Sequence, residues 1–275
     1  MSNLKVGPAG QLYDPVTGAY VGHLDADGTE RAVVTAISSD GGVGFGLAYI
    51  PRFISFQGFR PVFCASLSAG ATYEQSGTTV TVTSTAHGIP FANNGMDFYW
   101  PGSAEIPQGV YSGWTFISAD QFSFTNPTAK TVAAGAAVLN VPFLSIAQVA
   151  VATVPAGAVT VDGQLTLHVS RRGDTTANVK RTNMMIDGSS AMSLASLGTS
   201  NVGTMALTYR GLGSAFPNKY VGTGGGNSDG AGGTAQVNQI IDFSVDKLVY
   251  LGLSVTVAQQ WSGVDAAYLE TRRWG

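Results

Sequence analysis

The chain has 275 residues, a formal net charge of -3 and only 11% charged residues, against roughly 25% in an ordinary soluble domain. Its 14 Lys and Arg leave no electrostatic footprint for nucleic acid, and phosphate binding is not expected. The 36 glycines, the 10% aromatics and the plentiful Val and Thr argue against helices rich in Ala, Glu, Lys and Leu and predict an all-β protein, best divided into two modest units.

A surface this poor in charge must be covered by Ser, Thr, Asn, Gln and Gly. The single cysteine, Cys64, excludes an intrachain disulfide framework and a multi-cysteine metal site. Between Val62-Phe63 and Ala65 it reads as a small buried apolar group rather than a reactive thiol. MSNLKVGPAG lacks the apolar core of a secretory signal. The longest apolar stretch, VPFLSIAQVAVATVP, is cut by Pro142 and Pro155, so no membrane insertion is expected.

Residues 1–30 are polar and turn-rich, with Asp14-Pro15, Thr17-Gly18 and Asp27-Gly28 as turn-forming pairs, and read as an extended arm with short strands near Tyr20-Val21 and from Arg31. Within DADGTE, Asp25, Asp27 and Glu30 offer oxygen ligands, but a calcium loop needs more of them and a Glu at its twelfth position. A plain Asp-Gly hairpin is the favoured reading. Residues 31–71 hold strand-like pieces, RAVVTAI, GFGLAYI and RFISFQGF, punctuated by Pro51 and Pro61 and expected to pair with the C-terminal unit.

Residues 72–137 form a unit of their own. In TTVTVTSTAHGIP, Val80 and Val82 alternate with Thr79, Thr81 and Thr83, the period of a half-buried strand. Aromatic strands follow in MDFYWPG, GVYSGWTFIS and QFSFT. His87 precedes Gly88 where the strand ends. Glycine permits positive φ there, so the imidazole is expected to satisfy a turn backbone group rather than to sit at the mouth of a site. No Asp or Cys lies near it in sequence to build a triad or metal site, which leaves only a spatial partner from elsewhere. Phe98, Tyr99, Trp100 and Trp114 stack on sugar rings if exposed, but a module of this size needs them as core.

The order TVTVTSTAHGIP, aromatic strand, GVYSGWTF, SADQFSF resembles a small β-module inserted in bacteriophage tail and virion proteins.

Residues 138–275 read as a β-sandwich. Val149, Val151 and Val154 suggest a strand, a helix over 144–153 being disfavoured by β-branched crowding. GQLTLHVS places Leu165, Leu167 and Val169 on one face and Thr166, His168 and Ser170 on the other, so His168 is expected to face solvent rather than act in catalysis. Further strands are expected in TNMMIDG, VGTMALTYRG, QIIDFSVDKLVYLGLSVTVAQQW and the closing AAYLETRRWG. The glycine run VGTGGGNSDGAGG, residues 221–233, lacks the Lys-Ser/Thr pair and following helix of a phosphate loop; it reads as a flexible surface loop that can contact a receptor.

VPAGAVTVDGQLTLHVSRRGDTTANVKRTNMMIDG, NQIIDFSVDKLVYLGLSVTV and AAYLETRRWG resemble the C-terminal jelly-roll-like sandwiches of phage tail fibres and virion spikes. The resemblance implies an all-β fold made of a jelly-roll-like antiparallel sandwich, a small inserted β-module and an extended N-terminal arm. It implies a homotrimer within the virion, assembled in the host cytoplasm, contacting other tail or head proteins and a host-surface glycan or protein. A tail fibre or spike is the first reading and a head decoration or head-fibre protein the second. The third is a glycan-active tailspike enzyme, which needs paired carboxylates. The 17 acids are scattered in turns such as Asp162-Gly163 and Asp187-Gly188, so no catalytic residue, metal ligand or cofactor is expected.

Overall fold

The computed structural model describes side chains over residues 52–139, 146–160, 163–176, 180–187, 204, 206–212, 240–255 and 257–272, and the backbone of every strand named below. The fold is nearly all β, with 66% of the chain in strands. Among the described residues the helical structure is a single 3-10 turn, Phe91–Asn93, and no helix is long and apolar enough to cross a membrane.

Strands β1 (Lys5–Val6), β2 (Gln11–Tyr13), β3 (Tyr20–Leu24) and β4 (Glu30–Ala32) pair in sequence order as an antiparallel meander, and β5 (Val34–Ile37) pairs with β6 (Val43–Gly46). The segment read as an arm thus pairs with itself. Asp14-Pro15 and Thr17-Gly18 fall between β2 and β3, and Asp27-Gly28 between β3 and β4; the turn residues, with Asp25 and Asp27, lie outside the described residues.

Next come β7 (Arg52–Ser55), β8 (Val62–Ser66), β9 (Thr72–Thr83), β10 (Asp97–Trp100), β11 (Gly109–Ser118), β12 (Gln121–Ala137) and β13 (Ala147–Val154). The last eight are β14 (Gln164–Gly173), β15 (Lys180–Ile186), β16 (Ser189–Ser196), β17 (Val202–Gly211), β18 (Lys219–Gly226), β19 (Val237–Ile240), β20 (Lys247–Val255) and β21 (Gln260–Arg272). One 11-stranded sheet runs β19-β18-β17-β14-β21-β8-β10-β11-β12-β9, with β7 also on β21. A second sheet, β13-β20-β15-β16, packs across its first half.

The spine is β21. It pairs with β14 along one side, from Arg272↔Gln164 to Ser262↔Gly173. Along the other side, β7 and β8 lie end to end, Tyr268↔Ser55 through Thr271↔Arg52 and Gln260↔Ser66 through Val264↔Val62. Because successive side chains on a strand point to opposite faces, β8 serves two cores. Val62 and Cys64 enter the sandwich core with Leu165, Leu167, Met184, Leu251 and Leu269. Phe63 and Ala65 enter a second core with Phe98, Trp100, Trp114, Phe122 and Phe124. Strand β10, parallel to β8, repeats the division: Tyr99 joins the first core, Phe98 and Trp100 the second.

Ring pairs knit the second core, Phe63 to Phe98 at 5.1 Å, Trp100 to Phe124 at 5.1 Å and Phe98 to Phe122 at 5.3 Å. Each such ring withdraws a large apolar area from water, on the order of 1.5–3 kcal/mol. A register shift between Thr125 and Lys130 bends β12. The buried amides of Gln75 and Asn126 hold that bend: Asn126 Nδ2 donates to Gln75 Oε1 at 3.1 Å, and Gln75 Nε2 donates to the carbonyls of Gly77 and Thr128, each at 2.8 Å.

Two expectations change. Residues 221–226 of the glycine run are strand, not loop, since β18 pairs with β17 on one side and β19 on the other. A ladder needs only backbone groups, and two flanking strands supply them; the rest of the run lies outside the described residues. The segment around Val149 is indeed strand, but a register shift between Gln148 and Ala150 re-phases it, so Val149, Ala152 and Val154 are buried while Val151 is only half-buried.

Candidate functional site

His87 belongs to a structural knot. Its backbone N–H donates to Ala119 O at 3.1 Å, and Nδ1 accepts the N–H of Ile89 at 3.0 Å. With Nδ1 accepting, the proton sits on Nε2, which donates to Ser118 O at 2.9 Å. The ring is buried edge-on against Phe116 and Phe122. Asp120 completes the join, its Oδ1 accepting from Ala86 N–H at 2.7 Å and its carbonyl from Ser84 N–H at 2.9 Å. A β-carbon on Gly88, at φ +70, would meet Gln259 O at 2.5 Å. Gln259 in turn donates from its backbone to Ser66 O at 2.7 Å and from Nε2 to Thr85 O at 3.0 Å. The T-A-H-G turn therefore fastens the end of β9 to the β11–β12 turn and to the start of β21.

The other sequence candidates are also internal. Phe98, Tyr99, Trp100 and Trp114 are buried. Cys64 is fully buried, and burial pushes its thiol up to about 12, well away from thiolate chemistry at neutral pH. Asp187 ends β15 at φ 51 and pairs with Lys247 at 2.7 Å; Asp162 lies outside the described residues. No three His, Cys, Asp or Glu side chains among the described residues gather as a metal site.

A grouping of aromatic and polar side chains lies on the outer face of the large sheet, where β7, β21, β14 and β17 run side by side. Period-two alternation puts Leu165, Leu167 and Leu269 inside, and therefore turns Thr166, His168, Tyr268 and Glu270 outward. His168 stacks on Tyr268 with ring centroids 4.7 Å apart and planes 14° from parallel. Phe53 meets Tyr268 edge-on at 5.5 Å. Phe53 is 60% exposed and Tyr268 38%, so these rings are open to solvent.

Beneath the rings, Glu270 is only 5% exposed. Its Oε2 lies 2.8 Å from His168 Nε2, and Arg272 Nε donates to Oε1. A row of hydroxyl and amide groups continues across β14 to β17: Gln164 Nε2 donates to Thr166 Oγ1 at 2.8 Å, and Thr166 Oγ1 lies 3.1 Å from Thr208 Oγ1. Both oxygens of Glu270 are engaged, one by His168 and one by Arg272, so the carboxylate is held in place. The arrangement is a platform of ring faces and edges bordered by hydroxyls, an amide and a guanidinium.

No protein-family model and no curated protein sequence matches the chain.

His168 was legible as an outward residue, but its partners were not. Glu270 is 102 positions away in the chain, and only strand register brings the two together. Phe53 lies in RFISFQGF, which reads as strand-like in the sequence without showing that its first ring meets Tyr268.

Proposed function

We propose that the chain is a non-enzymatic structural protein of a bacteriophage virion, a tail fibre, spike or tail-associated appendage that works as a homotrimer and contributes to attachment to the host surface. The observation that carries this reading is the exposed platform of Phe53, Tyr268 and His168 on the broad β-sheet. Aromatic rings on a pre-ordered strand surface lose little freedom on binding, so they suit weak contacts that several copies multiply into avidity. Support also comes from the resemblance of the T-A-H-G module and the C-terminal strands to phage virion modules. The His87–Gly88 knot gives that motif a structural purpose, holding the module rigidly on the sandwich.

The test is labelling of purified particles with an antibody to this chain, together with quantification of the chain by mass spectrometry. Label on the tail at a copy number divisible by three is expected. Label on the head moves the protein to a decoration or head-fibre role, and absence from particles removes the proposal.

A further inference from the structure

The sandwich interior is not uniform along its length. At one end it is apolar, with Leu165, Leu167, Leu207, Ile186 and Val249. At the other, the same inward positions of β14, β15 and β21 carry Arg171, Lys180, Thr182, Gln260 and Ser262, all buried. Arg171 continues the inward row of Leu165, Leu167 and Val169, opposite Val264. It is 3% exposed, and its Nε has no hydrogen-bond partner among the described residues. Thr182 Oγ1, Gln260 Oε1 and Ser262 Oγ are likewise buried and unmatched among those residues.

Among the described residues the charges at this end do not cancel. Lys180 extends across Gly173, where a β-carbon would meet its Cδ at 3.0 Å, and pairs with Asp174 at 2.9 Å. That carboxylate is fully occupied, its Oδ2 accepting from Trp261 N–H at 3.0 Å and its Oδ1 from Thr176 N–H at 2.9 Å. Asp265, the acid nearest along β21, is bound to Arg172 at 2.5 Å. The stretches 177–179 and 188–203, on either side of β15, contain no Asp or Glu. Among the described residues one guanidinium is therefore in excess. Burial lowers its pKa, yet an arginine keeps its proton at neutral pH. An unpaired buried charge is among the costliest features a fold can carry.

We infer that the Arg171 end of the sandwich interior is a binding site for a small monoanion of the chloride or simple carboxylate class. The anion neutralises the guanidinium and accepts from the hydroxyls of Thr182 and Ser262, whose rotors are free to turn their protons inward. Because such an ion binds the folded chain alone, it stabilises the fold in proportion to the logarithm of its concentration once the site is mostly filled.

The experiment follows thermal unfolding of the purified full-length chain at fixed ionic strength while sodium gluconate is replaced by sodium chloride or sodium acetate. The wild-type midpoint is expected to climb with either small anion. The response disappears in Arg171→Met, and Ser262→Ala requires several-fold more anion for the same shift. Equal responses in wild type and Arg171→Met would reduce the effect to surface screening, and a flat wild-type curve would remove the site. A midpoint set by protein concentration instead of anion concentration would transfer the role to a carboxylate of a second copy, also overturning the inference. Should Arg171→Met fail to fold, wild-type crystals soaked in bromide decide the matter. An anomalous peak at hydrogen-bond distance from the Arg171 guanidinium supports the site, and only water there overturns it.

Discussion

His87 donates from Nε2 to the carbonyl of Ser118 at 2.9 Å, joining two turns that lie 31 residues apart in the chain. Removing the ring leaves that carbonyl and the Ile89 N–H without partners and opens a hole between Phe116 and Phe122. His87→Ala is expected to cost on the order of 2–4 kcal/mol, read from urea unfolding. A metal chelator should not alter the wild-type curve, since the ring nitrogens are committed to backbone groups.

Glycine 88 separates two kinds of cost. Gly70, at φ +80 with nothing near its β-position, charges Gly70→Ala only for left-handed backbone, about 1 kcal/mol. Gly88→Ala adds the collision with the Gln259 carbonyl, so its loss of stability should exceed that of Gly70→Ala by at least about 1 kcal/mol in parallel denaturant titrations.

Acid should weaken the fold through Asp174. Burial pushes its carboxyl up, but hydrogen bonds from Lys180, from Thr176 and from the Trp261 N–H outweigh this and hold it below the ordinary carboxylate range. A depressed folded-state pKa gives stability that is present above the unfolded value, about 3.9, and lost as pH falls through the lower folded value. Asp187, held down by Lys247, acts in the same sense; Asp97, raised by burial, opposes it. Asp174→Asn is expected to lower stability at pH 7 and to flatten the decline below about pH 4, measured by thermal midpoints across pH.

Cys64 supplies a probe of opening. It is buried between β21 and β10, with its thiol pushed up to about 12, so an aromatic disulfide reagent should label it only through unfolding. The labelling rate should become independent of reagent concentration when the reagent is in excess; fast labelling proportional to reagent would mean the native strand is accessible.

Phe53→Ala and Tyr268→Ala should leave the fold nearly intact, at about 1 kcal/mol or less for Phe53→Ala, because that ring is largely exposed. Both should lower adsorption of the purified protein to host cells. Unchanged adsorption in the double variant would dissociate the platform from attachment.

Alternation made β14 legible in the sequence, because one face is core and the other is water. The same logic hid β8: all five residues from Val62 to Ser66 are buried, one core lying on each side, so there is no polar phase to read. Strand β18 was hidden by glycine, whose side-chain silence looks like loop. Strand β21 was read only over its last part, since QWSG at its start carries no alternation although it forms the ladder with β8. The role of His87 as a turn residue could be read beside Gly88; its partner Ser118 could not, because that pairing depends on β9 and β11 both bordering β12. For the same reason the outer platform existed in the sequence as scattered residues on four strands without a register.

Two cores separated by a single shared layer, β8 and β10, should melt as one. The decisive measurement is equilibrium urea unfolding followed at once by far-ultraviolet circular dichroism, by tryptophan fluorescence and by labelling of Cys64. Trp100 and Trp114 report the second core, and Cys64 reports the sandwich. One coincident transition, shifted equally in all three signals by Phe63→Ala, is the predicted result. A fluorescence transition that separates from Cys64 exposure would contradict the shared-strand architecture on which the platform depends.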